Sequence, residues 1–411
     1  MLTTLGQSLW SYRRGLTTLA TVGAGGVWLT RYMKDQLLHH SRKSAQERAI
    51  YTDIERRFEQ NQQDVAWTVQ ALLSDMSELL DELSNADRWM IQLKQTVKTT
   101  TPSKDPSEEK GPSTGDGLSM EEQPTLVEKP MTKLELWTAV KTESYVRPIA
   151  SIYLLILLTL LSHTQINLLG RSFYVASVGV PEDDREQSVQ MALAGSQRLG
   201  WEEERIFLSS LPSHLLHHGA RECVAWVREA VKEVMDPVSL RSPCGSTEIQ
   251  GHVRSIRERI EAGDSFEDFF QRCTGWMIPN GENEASILEE AMGHPIPSLS
   301  SSLRGILDET YDLLESPNAL QVTREALATA FDIFDQQLQG ELAPSLPPKV
   351  VEIGDMDSAP TLPRLASLLP RISRTTYKIW DESKNRYIKD LDRLPALRAY
   401  SAIVYSSYAT E

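Results

Sequence analysis

Cysteine is scarce in this chain: Cys223, Cys244 and Cys273 are the only three in 411 residues. No two of them have the short spacing of a zinc or redox motif, and an odd, sparse set does not build a disulfide framework. They read as inert thiols in a reducing compartment. Positive charge is also in deficit. Lys and Arg number 42 against 57 Asp and Glu, a formal net charge of −15, which disfavours a nucleic-acid partner on bulk electrostatics. The chain lacks a phosphate loop, a nucleophile elbow and a kinase signature. Its one dense glycine run, Gly23-Ala24-Gly25-Gly26, follows no strand and makes no dinucleotide site; close helix packing in a membrane suits it better. There is no internal repeat, and no alternation of strands with helices that would build an α/β sheet.

What is present begins with an uncharged segment, Gly15 to Thr30. Gly15, Leu16, Leu19, Val22, Val27, Trp28 and Leu29 carry its membrane-facing character. It is short for a span, which needs about 20 apolar residues, and rich in glycine and threonine. Trp10 and Tyr12 precede it and Trp28 and Tyr32 close it, as in an aromatic belt at two interfaces. A signal peptide shares the basic-then-apolar layout, but no persuasive cleavage site follows; a soluble helix is the other alternative. As a membrane anchor it has Arg13 and Arg14 on one side and Arg31, Lys34, Arg42, Lys43 and Arg48 on the other. That bias puts the large C-terminal part in the cytosol.

From Lys34 to about Thr96 the chain reads as helix. Val65, Val69, Leu72, Met76, Leu79 and Leu83, widened by Leu73 and Leu80, form one apolar stripe. A core-facing role suits it better than a coiled-coil seam, which would need more heptads. Residues 99–130 are rich in Thr, Ser, Pro, Gly and acids, and read as a disordered acidic loop. Order resumes with Lys133-Leu134-Glu135-Leu136-Trp137, which leads into the apolar run Ile149–Leu161. That run suits a buried core helix better than a second span, because a stretch of 10–14 apolar residues is short for a bilayer. Further helices are expected at Ser188–Leu199, Leu215–Met235, Gly251–Glu261, Leu303–Leu314 and Ala319–Leu338, punctuated by Pro, Gly and Ser. The expected fold is all-α: one large elongated helical bundle over residues 34–411, with an N-terminal transmembrane anchor over 1–33.

Two places invite a functional reading. His214, His217 and His218 share a helix, with Glu222 one turn on, as a metal-binding set would; with no separate ligand motif, a half-exposed helix start after Pro212-Ser213 accounts for them better. Trp137 lies between the acidic loop and the core helix, with Lys133 one turn before it. A tryptophan at the lip of a bundle is a common interface anchor, and on local pattern a core aromatic fits equally well.

Several stretches together resemble the peroxisomal biogenesis factor 3, or peroxin-3, family: Arg57-Phe58-Glu59-Gln60-Asn61-Gln62, Lys133-Leu134-Glu135-Leu136-Trp137, Gln165-Ile166-Asn167-Leu168-Leu169-Gly170, Leu314-Glu315-Ser316-Pro317, and Leu362-Pro363 through Pro370. Each is short, but their order and spacing cover nearly the whole chain. The resemblance implies a non-enzymatic, cofactor-free protein of the peroxisomal membrane. Its cytosolic bundle would receive peroxin-19, the soluble import receptor for peroxisomal membrane proteins, by taking that receptor's N-terminal amphipathic helix into a groove. It makes Trp137 the groove's anchor and Lys133 a neighbouring contact, and it places Leu93 and Lys94 on the groove's other side. The acidic insert 99–130 departs from the family pattern. Two other readings remain: a more general organelle tether for inheritance or autophagy adaptors, and a membrane-bound metalloenzyme or hydrolase built on His214, His217 and His218.

Overall fold

The computed structural model describes residues 44–99, 132–178, 199–261, 265–279, 281, 284–292, 299–342, 362–381 and 385–406. The expected anchor over 1–33, most of the acidic loop over 99–130 and the expected helix at Ser188–Leu199, apart from Leu199, lie outside them. The described residues are helical and contain no strand; one isolated bridge joins Pro243 to Arg364. The helices are α1 (Ser44–Ser84), α2 (Ala86–Thr99), α3 (Lys133–Val178), α4 (Trp201–His214), α5 (Ala220–Met235), α6 (Ser246–Glu261), α7 (Phe266–Met277), α8 (Glu284–Met292), α9 (Ser301–Leu314), α10 (Pro317–Leu342), α11 (Leu365–Ile379), α12 (Arg386–Leu391) and α13 (Pro395–Ser406). A π-helical turn, Leu215–Gly219, joins α4 to α5.

The core is built around α3. It starts with a capping box: Thr132 Oγ1 accepts from the Glu135 amide, and the Glu135 carboxylate accepts from the Thr132 amide at 2.7 Å. Every residue from Val140 to Gln165 is buried. This helix alone among the described residues is long and apolar enough to cross a membrane, yet 94% of its most apolar window is covered by other helices. The Ile149–Leu161 run is therefore core, as its length and flanks suggested. A helix apolar all round needs neighbours on all sides, and α1, α2, α5, α11, α13 and α10 supply them.

Polar groups inside the core set the register of those neighbours. Ser144, Ser151, Thr159 and Thr164 each donate to the carbonyl four residues back on α3. Trp380 Nε1 donates to Ser151 Oγ at 2.9 Å, His163 Nδ1 meets Ser401 Oγ at 2.8 Å, and Thr164 Oγ1 meets the Tyr400 hydroxyl at 2.8 Å. Lys141 Nζ caps the C-terminus of α5 by donating to the Met235 carbonyl at 2.6 Å and the Val238 carbonyl at 3.1 Å. A buried polar group is costly when unpaired, so each bond selects one placement of its helix.

Two helical runs lie antiparallel to α3. On α1, Asp81 pairs with Arg147 while Gln62 donates to Asn167 Oδ1 at 2.9 Å. The path α4–π turn–α5 does the same, from Gln165 donating to the Phe207 carbonyl to Lys141 at Met235. The stripe on α1 faces the core: Val65, Val69, Leu73, Met76 and Leu80 are fully buried, and Leu72, Leu79 and Leu83 flank them. The helix expected to run unbroken to Thr96 is interrupted at Asn85, whose φ of 46° lies in the left-handed region. Asparagine tolerates that conformation better than most residues.

Candidate functional site

Lys133, Leu134 and Trp137 share the exposed face of the first turns of α3. Their partners on the opposite face, Leu136 and Val140, are buried. Lys133 is exposed, Trp137 is half-buried, and Leu134 is 74% exposed. An exposed leucine and a half-covered indole one turn apart, next to a free lysine end, make an amphipathic lip rather than a core position. The capping box fixes where this lip begins, and Thr138 Oγ1 donates to the Leu134 carbonyl at 3.1 Å within it.

Helix α2 packs on α3. Leu93 is 7% exposed, so it faces inward, and among the described side chains of that helix the large apolar one left exposed is Ile91 at 54%. Lys94 lies on α2, but its side chain is outside the described residues. Leu93 and Leu136 are both buried, yet stand outside the main apolar cluster. Sequence reasoning passed over Leu134 and Ile91. The signal for Leu134 was its place one turn before Trp137, on the flank of the helix that carries Lys133.

A second group of charges secures the junction of α1, α2 and α3. Arg147 is 1% exposed; its guanidinium pairs with Asp81 and, at 2.9 Å, with Asp87. It also lies 4.8 Å over the Tyr377 ring, and the Tyr377 hydroxyl donates to Asp87 at 3.0 Å. Nearby, Glu143 is buried and accepts from Arg228 Nε at 2.5 Å. Burial pushes the Glu143 carboxyl upward, and Arg228 opposes that shift.

The histidine set does not form a metal centre. Among the described residues no group of three His, Cys, Asp or Glu is placed to hold an ion. His214 is buried, while His217 and His218 are exposed. Nor does a helix begin after Pro212-Ser213: both residues lie inside α4, and the backbone continues through the π turn. All three cysteines are free and buried, and burial raises the Cys223 thiol well above its ordinary range, which leaves it inert.

Two of the stretches that carried the family resemblance, 57–62 and 165–170, meet in space. Asn61 Nδ2 donates to the Ile166 carbonyl at 3.3 Å, and Gln62 binds Asn167. A β-carbon on Gly170 would come within 1.8 Å of Asn61 Nδ2, so any larger residue there would push the Asn61 amide aside. The Peroxin-3 family model matches residues 7–407. The chain belongs to the peroxin-3 family. Over 438 aligned residues it is 26% identical to the Peroxisomal biogenesis factor 3 of Yarrowia lipolytica, covering 97% of this chain and 98% of that one. The proteins of that name from Bos taurus and Homo sapiens are 22% and 21% identical, each over 98% of both chains. In this chain the docked pair of segments, one on α1 and one on α3, joins the apolar stripe of α1 in holding the first described helix on the core helix.

Proposed function

We propose that this chain is a peroxisome biogenesis factor that acts as a docking receptor at the peroxisomal membrane, receiving peroxin-19 with its membrane-protein cargo. Membership of the peroxin-3 family across residues 7–407 supports the biogenesis role. The observation that carries the docking role is the amphipathic lip at the start of α3, where Trp137 and Leu134 remain open to a partner. An amphipathic helix of peroxin-19 lays its apolar side over Trp137 and Leu134, and Lys133 steers an acidic partner toward the lip. The basic excess after residue 30 keeps the bundle in the cytosol, where a soluble receptor meets it.

Binding of purified peroxin-19 to the full chain in nanodiscs tests this. Trp137→Ala truncates an interface anchor, and such truncations cost about 2 kcal/mol or more, roughly 30-fold in affinity. The unfolding midpoint should change little, since the indole is half-exposed. Retention of affinity within a few-fold would remove Trp137 as the anchor. Lys133→Ala should act mainly on the association rate and lose its effect at high salt.

A further inference from the structure

Helix α11 carries a basic face. The chain as a whole has a net charge of −15, so cations gathered on one face are a local exception. Leu365, Leu368, Leu369, Ile372 and Ile379 turn inward. Helical spacing puts Arg371, Arg374 and Lys378 on the opposite side, and Arg364 stands at the N-cap. The row from Arg364 to Lys378 is about 21 Å long. The loop before α6 adds a further arginine. The Leu365 amide donates to the Ser242 carbonyl at 3.0 Å and the Ala366 amide to the Leu240 carbonyl at 3.1 Å, which sets Arg241 beside Arg364.

The acids bordering this face are already engaged. Glu341 pairs with Lys378, Asp87 holds Arg147 and the Tyr377 hydroxyl, and Glu248 accepts from the Gly245 amide at 2.7 Å. Arg371 donates to a backbone carbonyl, that of Glu341, at 3.4 Å. Arg241, Arg364 and Arg374 are exposed and make no ion pair among the described residues. Two exposed apolar side chains frame the row, Leu362 at 52% and Tyr377 at 49%. An arginine fork takes a carboxylate through two parallel bonds, and the framing side chains suit a polypeptide that carries apolar residues among its acids.

A bilayer does not fit the place of this face. Trp380 donates to Ser151 and Tyr377 lies under Arg147, so α11 ends at that level of α3. Its start is stitched to Leu240, close to the Val238 carbonyl that takes Lys141, and so lies toward the first turns of α3. Helix α1 comes from the other end: Gln62 meets Asn167, about 30 Å along α3 from Arg147. The expected anchor precedes α1, and a membrane there is several Debye lengths of about 10 Å away.

We infer that the arginine face of α11 is a docking surface for an acidic segment of a partner protein, with carboxylates on Arg364, Arg371 and Arg374 and apolar residues against Leu362 and Tyr377. It shares no residue with the Trp137 lip.

Fluorescence anisotropy on the full chain in nanodiscs of zwitterionic lipid tests this, with a fluorescein-labelled Glu-Glu-Leu repeat peptide as probe and its Gln-Gln-Leu counterpart as control. The acidic peptide should bind, more weakly as salt rises, and the control should not. The Arg371→Gln, Arg374→Gln double variant should weaken binding about five-fold, as loss of two exposed ion pairs does, with a thermal melt confirming the fold. Removing two exposed cations elsewhere, Arg221→Gln with Lys389→Gln, should not. No binding, equal binding of the glutamine peptide, or equal affinity in the two double variants would each overturn the proposal. So would displacement by phosphatidylserine vesicles, which would assign the face to a membrane. A gain of about ten-fold on deleting residues 100–130 would overturn it too, by assigning the face to the chain's own acidic insert.

Discussion

At the residue scale the decisive asymmetry is at Arg147. The cation is buried, whereas Asp81 and Asp87 retain 45% and 54% of their side-chain exposure. Removing the arginine returns two carboxylates to water; removing the carboxylates strands a buried charge. Arg147→Met, which keeps the volume, should therefore cost about 1–2 kcal/mol, and the Asp81→Asn, Asp87→Asn double variant about 3–5 kcal/mol. Urea titrations of both would decide; the reverse order would mean that the acids matter mainly as surface charge. Asp392 gives a pH-dependent counterpart. Burial pushes its carboxyl up to about 6, and Arg398 draws it back only in part. The folded protein thus holds this proton more tightly than the unfolded chain, where an aspartate titrates near ~3.9. The group's contribution is fully present below about pH 4 and is lost as pH rises through about 6. Asp392→Asn should raise the melting midpoint at pH 7 and leave it unchanged at pH 4. An equal shift at both pH values would exclude titration as the cause.

At the scale of elements, periodicity alone made much of the bundle legible. The stripe on α1, the all-apolar run of α3, and the helices α5, α6, α9 and α10 carry their burial pattern in the spacing of Val, Leu and Ile, with ends misplaced by a few residues. Three features were not legible. The break at Asn85 depends on one left-handed residue in an otherwise helical pattern. Helix α4 contains Pro212 and begins at an exposed Trp201, so local signals placed the helix start after the proline. The π turn leaves no mark in composition, and the contact that fixes its Gly219 is with Trp276, far along the chain. The exposed lip on α3 was legible only as Trp137 and Lys133; whether Leu134 and Ile91 stay uncovered depends on tertiary packing, which spacing does not encode. Gly219→Ala probes the tertiary feature directly. Its methyl group must displace a backbone carbonyl rather than a mobile side chain, so the variant should lose roughly 2–3 kcal/mol. An alanine tolerated within about 0.5 kcal/mol would show that α7 moves freely against the π turn. Gly305→Ala, where nothing lies within 4 Å of the added carbon, is the matched control and should be neutral or slightly stabilising.

At the scale of the whole molecule, one buried helix serves as the common surface for most of the others, and the ends of the described chain close it. Helix α13 seals the far half of α3 through Ser401 and Tyr400, and Phe58 on α1 meets Tyr405 edge-on at 5.6 Å. Phe58, Ala402 and Tyr405, with Ile54 packed on them, form a satellite cluster apart from the main core, whereas Leu397, Tyr400 and Val404 belong to that core itself. The two sets predict different failures. Tyr405→Ala removes an aromatic from the satellite only. It should loosen the first turns of α1, seen as faster amide exchange before Phe58, and leave the global melt nearly intact, because local opening need not reach the core. Removing residues 395–411 uncovers His163 and Thr164 and strips three apolar side chains from the main core. Losses of that kind run to several kcal/mol each, against a total stability of about 5–15 kcal/mol. The truncated chain should show no cooperative melt and rapid proteolysis within α1 and α3. A truncated chain that still melts cooperatively, with α3 protected, would mean that α3 is held by α1, α5 and α11 alone and that the C-terminal helix only covers it.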